Sequence, residues 1–296
     1  MKYYEVIFTI EPCTQVAQEL LPAMVAEAGF ETFEETETGL TGYVQQTLFS
    51  HEVLDAAINS FLLDDTHIIY KVREVEDRDW NEQWEQEGFE PITLDMPLSR
   101  GEGTFAVHDG RHLPTPAPTV AVEIDAKNAF GTGNHETTKM ILGILLNFFS
   151  MQHARILDCG CGTGILGISA LKLGAEECVA YDIDEWSVEN TRHNAVINRV
   201  DDRISILHGD AHVLDHMEDN SFQFIVANIN RNILLNDMAQ FSRLLHPNGY
   251  MIISGFYQED MHLLNRRMEE LGLVLLQTTV SNQWAAMMCY PKQPRT

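Results

Sequence analysis

Ile156-Leu157-Asp158-Cys159-Gly160-Cys161-Gly162-Thr163-Gly164 decides how this chain is read. An apolar run meets an acid and then three glycines at alternate positions. Glycine has no side chain to hold a ligand away, so such a loop lets one lie against bare backbone. The pattern predicts a strand over Arg155–Asp158 and a helix over Ile165–Lys172. That junction is where α/β sheets bind nucleotide-like molecules.

Two cofactors fit the loop. Gly162-x-Gly164-x-x-Gly167 satisfies the dinucleotide fingerprint. Asp158-x-Gly160-x-Gly162-x-Gly164 satisfies the S-adenosylmethionine pattern of Rossmann-like methyltransferases. The glycines do not separate them; the acid does. A carboxylate repels a pyrophosphate and attracts the ammonium of a methionyl group, so Asp158 favours S-adenosylmethionine. Asp182 ends the next predicted strand, where a carboxylate accepts hydrogen bonds from ribose hydroxyls. Asp184 reads as the cap of the helix that follows. Gly209-Asp210 follows the third strand, so Asp210 is a candidate acceptor for the adenine amine; the alternative is an ordinary turn aspartate.

Outward from the loop, helix and strand alternate. A helix is predicted over Thr137–Phe149. Strands follow at Arg155–Asp158, Val179–Asp182, Ile204–Leu207, Phe222–Ala227 and Tyr250–Ser254. Helices over Ile165–Lys172, Glu185–Asn198, Ile233–Leu245 and Asp260–Leu271 separate them. Leu273–Val280 and Trp284–Tyr290, joined by Ser281-Asn282-Gln283, read as an antiparallel hairpin. The sum is an α/β, doubly wound, mostly parallel seven-stranded sheet with an antiparallel edge.

The first 76 residues read differently. Strands at Tyr3–Ile10, Phe30–Glu35, Leu40–Gln46 and His67–Val75 interleave with helices at Thr14–Ala28 and His51–Leu63, with Pro22 expected to kink the first helix. The order β-α-β-β-α-β is that of a ferredoxin-like α+β fold. Residues 77–90 read as a linker whose helix, Asp79–Glu87, carries Trp80 and Trp84 on one face. Residues 91–296 form the catalytic domain, opening with a β-rich stretch over 91–136 with strands near Thr104–His108 and Val120–Ile124.

Charge is uneven. Residues 1–90 hold 20 Asp/Glu against 4 Lys/Arg, a net of −16 out of −25 for the chain. An acidic front repels nucleic acid and steers a basic partner. The five cysteines show no paired spacing and the histidines no His-Glu-x-x-His, so no metal site and no disulfide framework are expected. Cys159 and Cys161 read as small space-fillers, with a redox pair as the alternative. No apolar run is long enough to span a membrane and no signal peptide is visible, so a cytoplasmic protein, monomeric and away from membranes, is expected.

Two further segments carry chemistry. Asp125-Ala126-Lys127-Asn128-Ala129-Phe130-Gly131-Thr132-Gly133-Asn134-His135-Glu136-Thr137-Thr138 is glycine-rich and lies just before the first sheet unit, with Thr137-Thr138 able to cap the helix behind it. Ala227-Asn228-Ile229 ends the fourth strand. Methyltransferases of planar nitrogens often have Asn/Asp-Pro-Pro-aromatic there. This chain keeps Asn228 without the stacking platform, which suits a flexible amine such as lysine.

Together, Phe130-Gly131-Thr132-Gly133-x-His135-x-Thr137-Thr138, Leu157-Asp158-x-Gly160-Cys161-Gly162-Thr163-Gly164-Ile165-Leu166 and Ala227-Asn228-Ile229 resemble the bacterial ribosomal protein L-eleven methyltransferases of the PrmA type. Asp79-Trp80-Asn81-Glu82-Gln83-Trp84 resembles that family's linker. The resemblance implies a class I fold and S-adenosylmethionine as methyl donor, leaving S-adenosylhomocysteine. It implies that amino groups of the basic large-subunit ribosomal protein L-eleven accept the methyl groups. It also implies a front domain that recognises the substrate protein and moves relative to the catalytic domain. By this resemblance Thr138, Gly160, Asp182 and Asn228 contact the cofactor or line the reaction site, and Phe130, Thr132, Asp158, Gly162, Gly164 and Asp210 complete the expected set. Asn228 is the expected catalytic residue. Lys127, Asn128, Asn134 and Glu136 depart from the family's usual residues.

The expected mechanism has no dedicated strong base: a site short of carboxylates lowers the pKa of an incoming lysine by desolvation, and the enzyme chiefly aligns the reactants. The competing readings are an NAD-dependent oxidoreductase, and a methyltransferase of RNA or a small metabolite.

Overall fold

Strand β1 (Tyr3–Glu11) alternates inward and outward, burying Val6, Phe8 and Ile10. Helix α1 (Gln15–Met24) brings Ala17 and Leu21 onto that face, the i,i+4 spacing that shares one helix side. Thr14 caps α1, its Oγ1 accepting from the Ala17 N–H at 3.3 Å. The helix runs through Pro22 and ends at Met24, four residues short of the predicted Ala28. Strands β2 (Phe30–Thr36) and β3 (Gly39–Gln45) form the predicted hairpin. Helix α2 (His51–Asn59) adds Leu54 to the core. It stops before the predicted Leu63 because Ser60 turns its hydroxyl back onto the Ala56 and Ala57 carbonyls. Strand β4 (His67–Glu74) completes an antiparallel sheet in the order β2-β3-β1-β4, the ferredoxin-like arrangement.

The structure is a computed structural model that describes residues 3–292, excepting 26–27, 37, 47, 62, 64–65, 75–87, 98–102, 127–135 and 148–151. The predicted linker helix with Trp80 and Trp84, and the block from Lys127 to His135, lie outside the described residues. The chain divides into two compact units, Met1–Glu82 and Gln83–Thr296.

The second unit opens with a small sheet of β5 (Ile92–Asp95), β6 (Thr104–His108) and β7 (Val120–Glu123), in that order. Strand β5 is absent from the sequence reading: four residues after a proline carry too little periodicity to be seen. Ile92, Phe105, Val107 and Val122 share one apolar cluster with helices α3 (Glu136–Leu146) and α4 (Ile165–Lys172).

The main sheet holds β8 (Arg155–Cys159), β9 (Glu177–Asp182), β10 (Ile204–His208), β11 (Phe222–Asn228), β12 (Leu245–Tyr257), β13 (Leu273–Ser281) and β14 (Trp284–Pro291) in the order β10-β9-β8-β11-β12-β14-β13. Helices α5 (Glu185–Ile197), α6 (Arg231–Leu244) and α7 (Met261–Glu270) complete the crossovers. This is the expected class I methyltransferase sheet. β14 is antiparallel to both its neighbours and lies inside β13. Its continuous apolar run Ala285-Ala286-Met287-Met288-Cys289 is fully buried, as a strand covered on both faces should be. From β8 the chain adds β9 and β10 on one side and β11 and β12 on the other. The switch point therefore falls between β8 and β11, and ligands bind in the crevice beyond such a point.

Candidate active site

The loop after β8 is shaped by its glycines. Gly160, Gly162 and Gly164 have φ of +67°, +54° and +79°, a region costly for residues with a Cβ. At Gly160 a Cβ would stand 2.3 Å from Ile229 Cγ2, so this glycine also lets the loops after β8 and β11 meet. The Gly160 and Cys161 N–H groups both donate to the Tyr181 carbonyl, at 2.9 and 3.0 Å. Gly162 N–H donates to Asp182 Oδ2 at 2.9 Å. The loop is thus hydrogen-bonded to the end of β9 and lies close against Ile229 after β11.

Asp158 sits beneath the loop. It is 1% exposed, and its Oδ2 accepts from the Gly167 N–H at 2.8 Å, tying β8 to the first turn of α4. Among the described residues Oδ1 has no partner. Burial, with the neighbouring Asp182 charge adding to it, pushes this carboxyl up to about 7, while the Gly167 bond opposes the rise. Asp158 and Gly164 do not line the cavity described next.

That cavity, about 410 Å³, opens at the switch point and has Thr138, Gly160, Gly162, Asp182, Asp210 and Asn228 on its wall. Asp182 is half-exposed; its Oδ1 accepts from the Asp184 N–H at 3.0 Å, so each oxygen already holds one backbone donor. Asp184 caps α5 as predicted, accepting from the Trp186 and Ser187 amides, and it also reaches the cavity. Asp210 is a turn aspartate, its Oδ1 capping a short 3-10 turn through the His212 N–H at 3.0 Å, and it also lines the cavity. Asn228 ends β11, and its Nδ2 donates to Thr138 Oγ1 at 3.4 Å, joining the two segments that the sequence singled out. Helix α3 starts at Glu136, so Thr137 and Thr138 lie inside its first turn rather than at its cap. Glu136 accepts from Asn282 Nδ2 at 2.7 Å. Phe130 and Thr132 lie outside the described residues.

Ile229 of the Ala227-Asn228-Ile229 segment lines the cavity, as do Ile183, Ile233 and Asp237, which sequence reasoning missed. Ile233 and Asp237 stand i,i+4 on α6, one face of the helix after Asn228; that spacing was the available signal. Asp237 matters for the electrostatics. Asp182, Asp184, Asp210 and Asp237 all line the cavity, and among its described lining residues there is no Lys or Arg. The expectation of a site short of carboxylates is therefore wrong for the cavity as a whole. The cysteines are free, and burial pushes the thiols of Cys159, Cys161 and Cys178 far up and that of Cys289 to about 12. Such thiols are poor nucleophiles, which supports the space-filling reading.

The family described as ribosomal protein L11 methyltransferase (PrmA) matches residues 10–292. The chain belongs to the ribosomal protein L11 methyltransferase family. A member from Bacteroides thetaiotaomicron, named ribosomal protein L11 methyltransferase, is 44% identical over 97% of this chain and 99% of its own. One from Porphyromonas gingivalis with the same name is 39% identical over the whole of both chains. The crystal structure of a ribosomal protein L11 methylase from Lactobacillus delbrueckii subsp. bulgaricus superposes with a TM-score of 0.57 at 26% identity, over 67% of this chain and 99% of that one. The protein is a methyltransferase with the class I fold, and among the described residues its sheet carries a cavity at the switch point between β8 and β11.

Proposed function

We propose that this chain transfers methyl groups from S-adenosylmethionine to amino groups of ribosomal protein L11, on lysine side chains and the α-amine, in the cytoplasm. The sign of the cavity carries the cofactor part. Four carboxylates line it without a described Lys or Arg. At an effective dielectric of 20, two unit charges roughly 8 Å apart interact by about 2 kcal/mol. Several carboxylates therefore oppose a dinucleotide pyrophosphate by several kcal/mol and favour a cationic methyl donor by a similar amount. The volume suits a small cofactor, since such pockets run from about 300 Å³ upward.

In this reading Asp182 holds the ribose: each of its oxygens accepts one N–H and keeps a lone pair for a hydroxyl. Asp210 serves the adenine amine with the oxygen its turn does not use. Gly160 and Gly162 offer bare backbone. Asp158 acts through the loop, by fixing Gly167, and Gly164 by starting α4. Phe130 and Thr132 join the site on the strength of the family motif. When bound, the cofactor supplies a methyl group already activated on a sulfonium.

The residues then have to align an amine that reaches the methyl group in its neutral form. Because Asn228 Nδ2 is committed to Thr138, its Oδ1 is the acceptor that orients the incoming N–H. A lysine near pKa 10.4 is mostly charged at pH 7, a cost of roughly 4.6 kcal/mol for its neutral form. Nearby carboxylates favour the ammonium further, so the proton leaves to solvent before transfer. The acidic residues 1–90 are the front domain (1–76) and the linker (77–90) that joins it to the catalytic domain (91–296), and together they carry the charge to attract a basic protein.

The test is label transfer from methyl-labelled S-adenosylmethionine to purified L11, ribosomal RNA and a metabolite pool, followed by mass spectrometry of L11. Label in L11 amines is expected. Label only in RNA or metabolites would refute the substrate, and tight NAD binding without S-adenosylmethionine binding would refute the cofactor.

A further inference from the structure

Helix α5 buries a polar strip. Asn190, Thr191 and Asn194, with Asn198 at its C-terminal cap, are 5%, 0%, 0% and 6% exposed. Asparagine and threonine are poor helix formers, and buried polar groups require partners, so these residues need a reason to be there. Their partners fall into two sets. Thr191 Oγ1 donates to the Gly162 carbonyl at 2.8 Å, on the glycine loop. Asn198 exchanges two bonds with the Glu123 backbone, at 3.0 and 2.6 Å, and Asn190 Nδ2 donates to the Asp125 carbonyl at 2.9 Å, on the segment leaving β7. Asn194 alone serves both. Its Nδ2 donates to the Thr163 carbonyl and its Oδ1 accepts from the Asp125 N–H, each at 2.9 Å.

Asp125 is where the chain enters the block running to Thr138. The far end of that block is also held, by Glu136 to Asn282 and by Thr138 to Asn228. We propose that Asn194 is a positioning residue for methyl transfer: it ties the glycine loop to the backbone at Asp125, so that a ligand on the loop also holds the chain where it leaves β7. This rests on the reading that S-adenosylmethionine occupies the cavity. It assigns α5 a task that neither the glycine loop nor the segment leaving β7 performs alone: keeping the two in register.

The test uses the full chain with S-adenosylhomocysteine as probe. In the wild type the probe should slow amide hydrogen exchange in peptides covering 160–167 and also in those covering 120–126. Asn194→Ala should weaken probe binding by about tenfold, the scale of one buried hydrogen bond. At saturating probe the variant should still protect 160–167 but no longer 120–126. Its kcat at saturating cofactor should fall by about tenfold or more, as expected for lost alignment. Thr191→Val should chiefly weaken probe binding, and Asn198→Ala chiefly lower kcat. An unprotected 120–126 in the wild type, or an Asn194→Ala variant that melts earlier yet keeps both protection and kcat, overturns the proposal. If Asn194→Ala does not fold, exchange in the wild type decides alone. Absence of any probe binding to the wild type would instead sink the cofactor reading, and this proposal with it.

Discussion

Asp182→Asn keeps the side-chain shape and removes one acceptor and the charge. In the protein the two carboxylate oxygens accept from Gly162 and Asp184 at 2.9 and 3.0 Å. An amide can fill only one of these positions; at the other, its NH₂ faces an N–H. A donor left unpaired costs about 1–3 kcal/mol, and the lower end applies at this half-exposed place. One kcal/mol lowers the melting temperature of a unit this size by about 2–4 °C. The ligand loses more. Hydrogen bonds to a charged acceptor contribute about 1.5–3 kcal/mol and neutral ones about 0.5–1.5. With one ribose bond gone and the other weakened, the loss is about 2–3 kcal/mol, or roughly a 30- to 150-fold rise in Kd. Isothermal titration with S-adenosylhomocysteine measures it. Asn230→Ala is the control: it removes the cap of α6, whose Oδ1 accepts from the Asn232 and Ile233 amides, worth about 1 kcal/mol, and should shift the melting temperature comparably with a much smaller change in Kd. An Asp182→Asn protein that folds normally and binds within about threefold of wild type would refute the ribose assignment, as would an equal loss from Asn230→Ala.

Four other outcomes follow from the same geometry. Asn228→Ala should lower kcat by about 10²-fold with cofactor affinity nearly unchanged, because its contribution is alignment of the amine; full turnover would exclude that role. Asp158 has a folded pKa of about 7 against 3.8 when free, so the folded state holds its proton more tightly than the unfolded chain does. The stability it contributes is present below pH 3.8 and lost as pH rises toward 7, so Asp158→Asn should gain on wild type by up to about 3 kcal/mol between pH 5 and 8 in urea denaturation; a pH-independent difference would show that the buried carboxyl does not titrate there. Gly160→Ala, at positive φ and against Ile229, should destabilise by about 1–2 kcal/mol, whereas Gly143→Ala, in open space inside α3, should stabilise by about 0.5–1 kcal/mol. With no base near neutrality on the substrate amine, kcat/KM should keep rising with pH above 8, and a plateau near 7 would reveal such a base.

The repeating units of both domains were legible because each hydrophobic period is long and bounded by caps. Ser60 ended α2 short of Leu63 through side-chain bonds that no periodicity records, and α1 ran through Pro22 to stop at Met24. β5 was invisible for want of length, and the cavity's α6 wall was marked only by the i,i+4 spacing of Ile233 and Asp237, which defines a helix face without saying what it faces. The role of Asp158 shows the limit most clearly. Its place before the glycines marked the cofactor class, but its carboxylate turns under the loop toward Gly167 rather than into the cavity.

What the sequence determined by itself was the family, the strand–loop–helix unit at Asp158–Gly164, the acids at 182 and 210, and Asn228 as the residue ending the fourth strand. These are local: each depends on a spacing that the backbone geometry of a strand end or helix cap converts directly into position. Only the tertiary structure decided that β14 inserts between β12 and β13, that Asp237 joins three other carboxylates at one cavity, that Thr138 meets Asn228 across 90 residues, and that Asn194 joins the loop to Asp125. Such contacts arise when elements pack, and the pairing of distant residues across a sheet or helix face leaves no spacing in the chain to read.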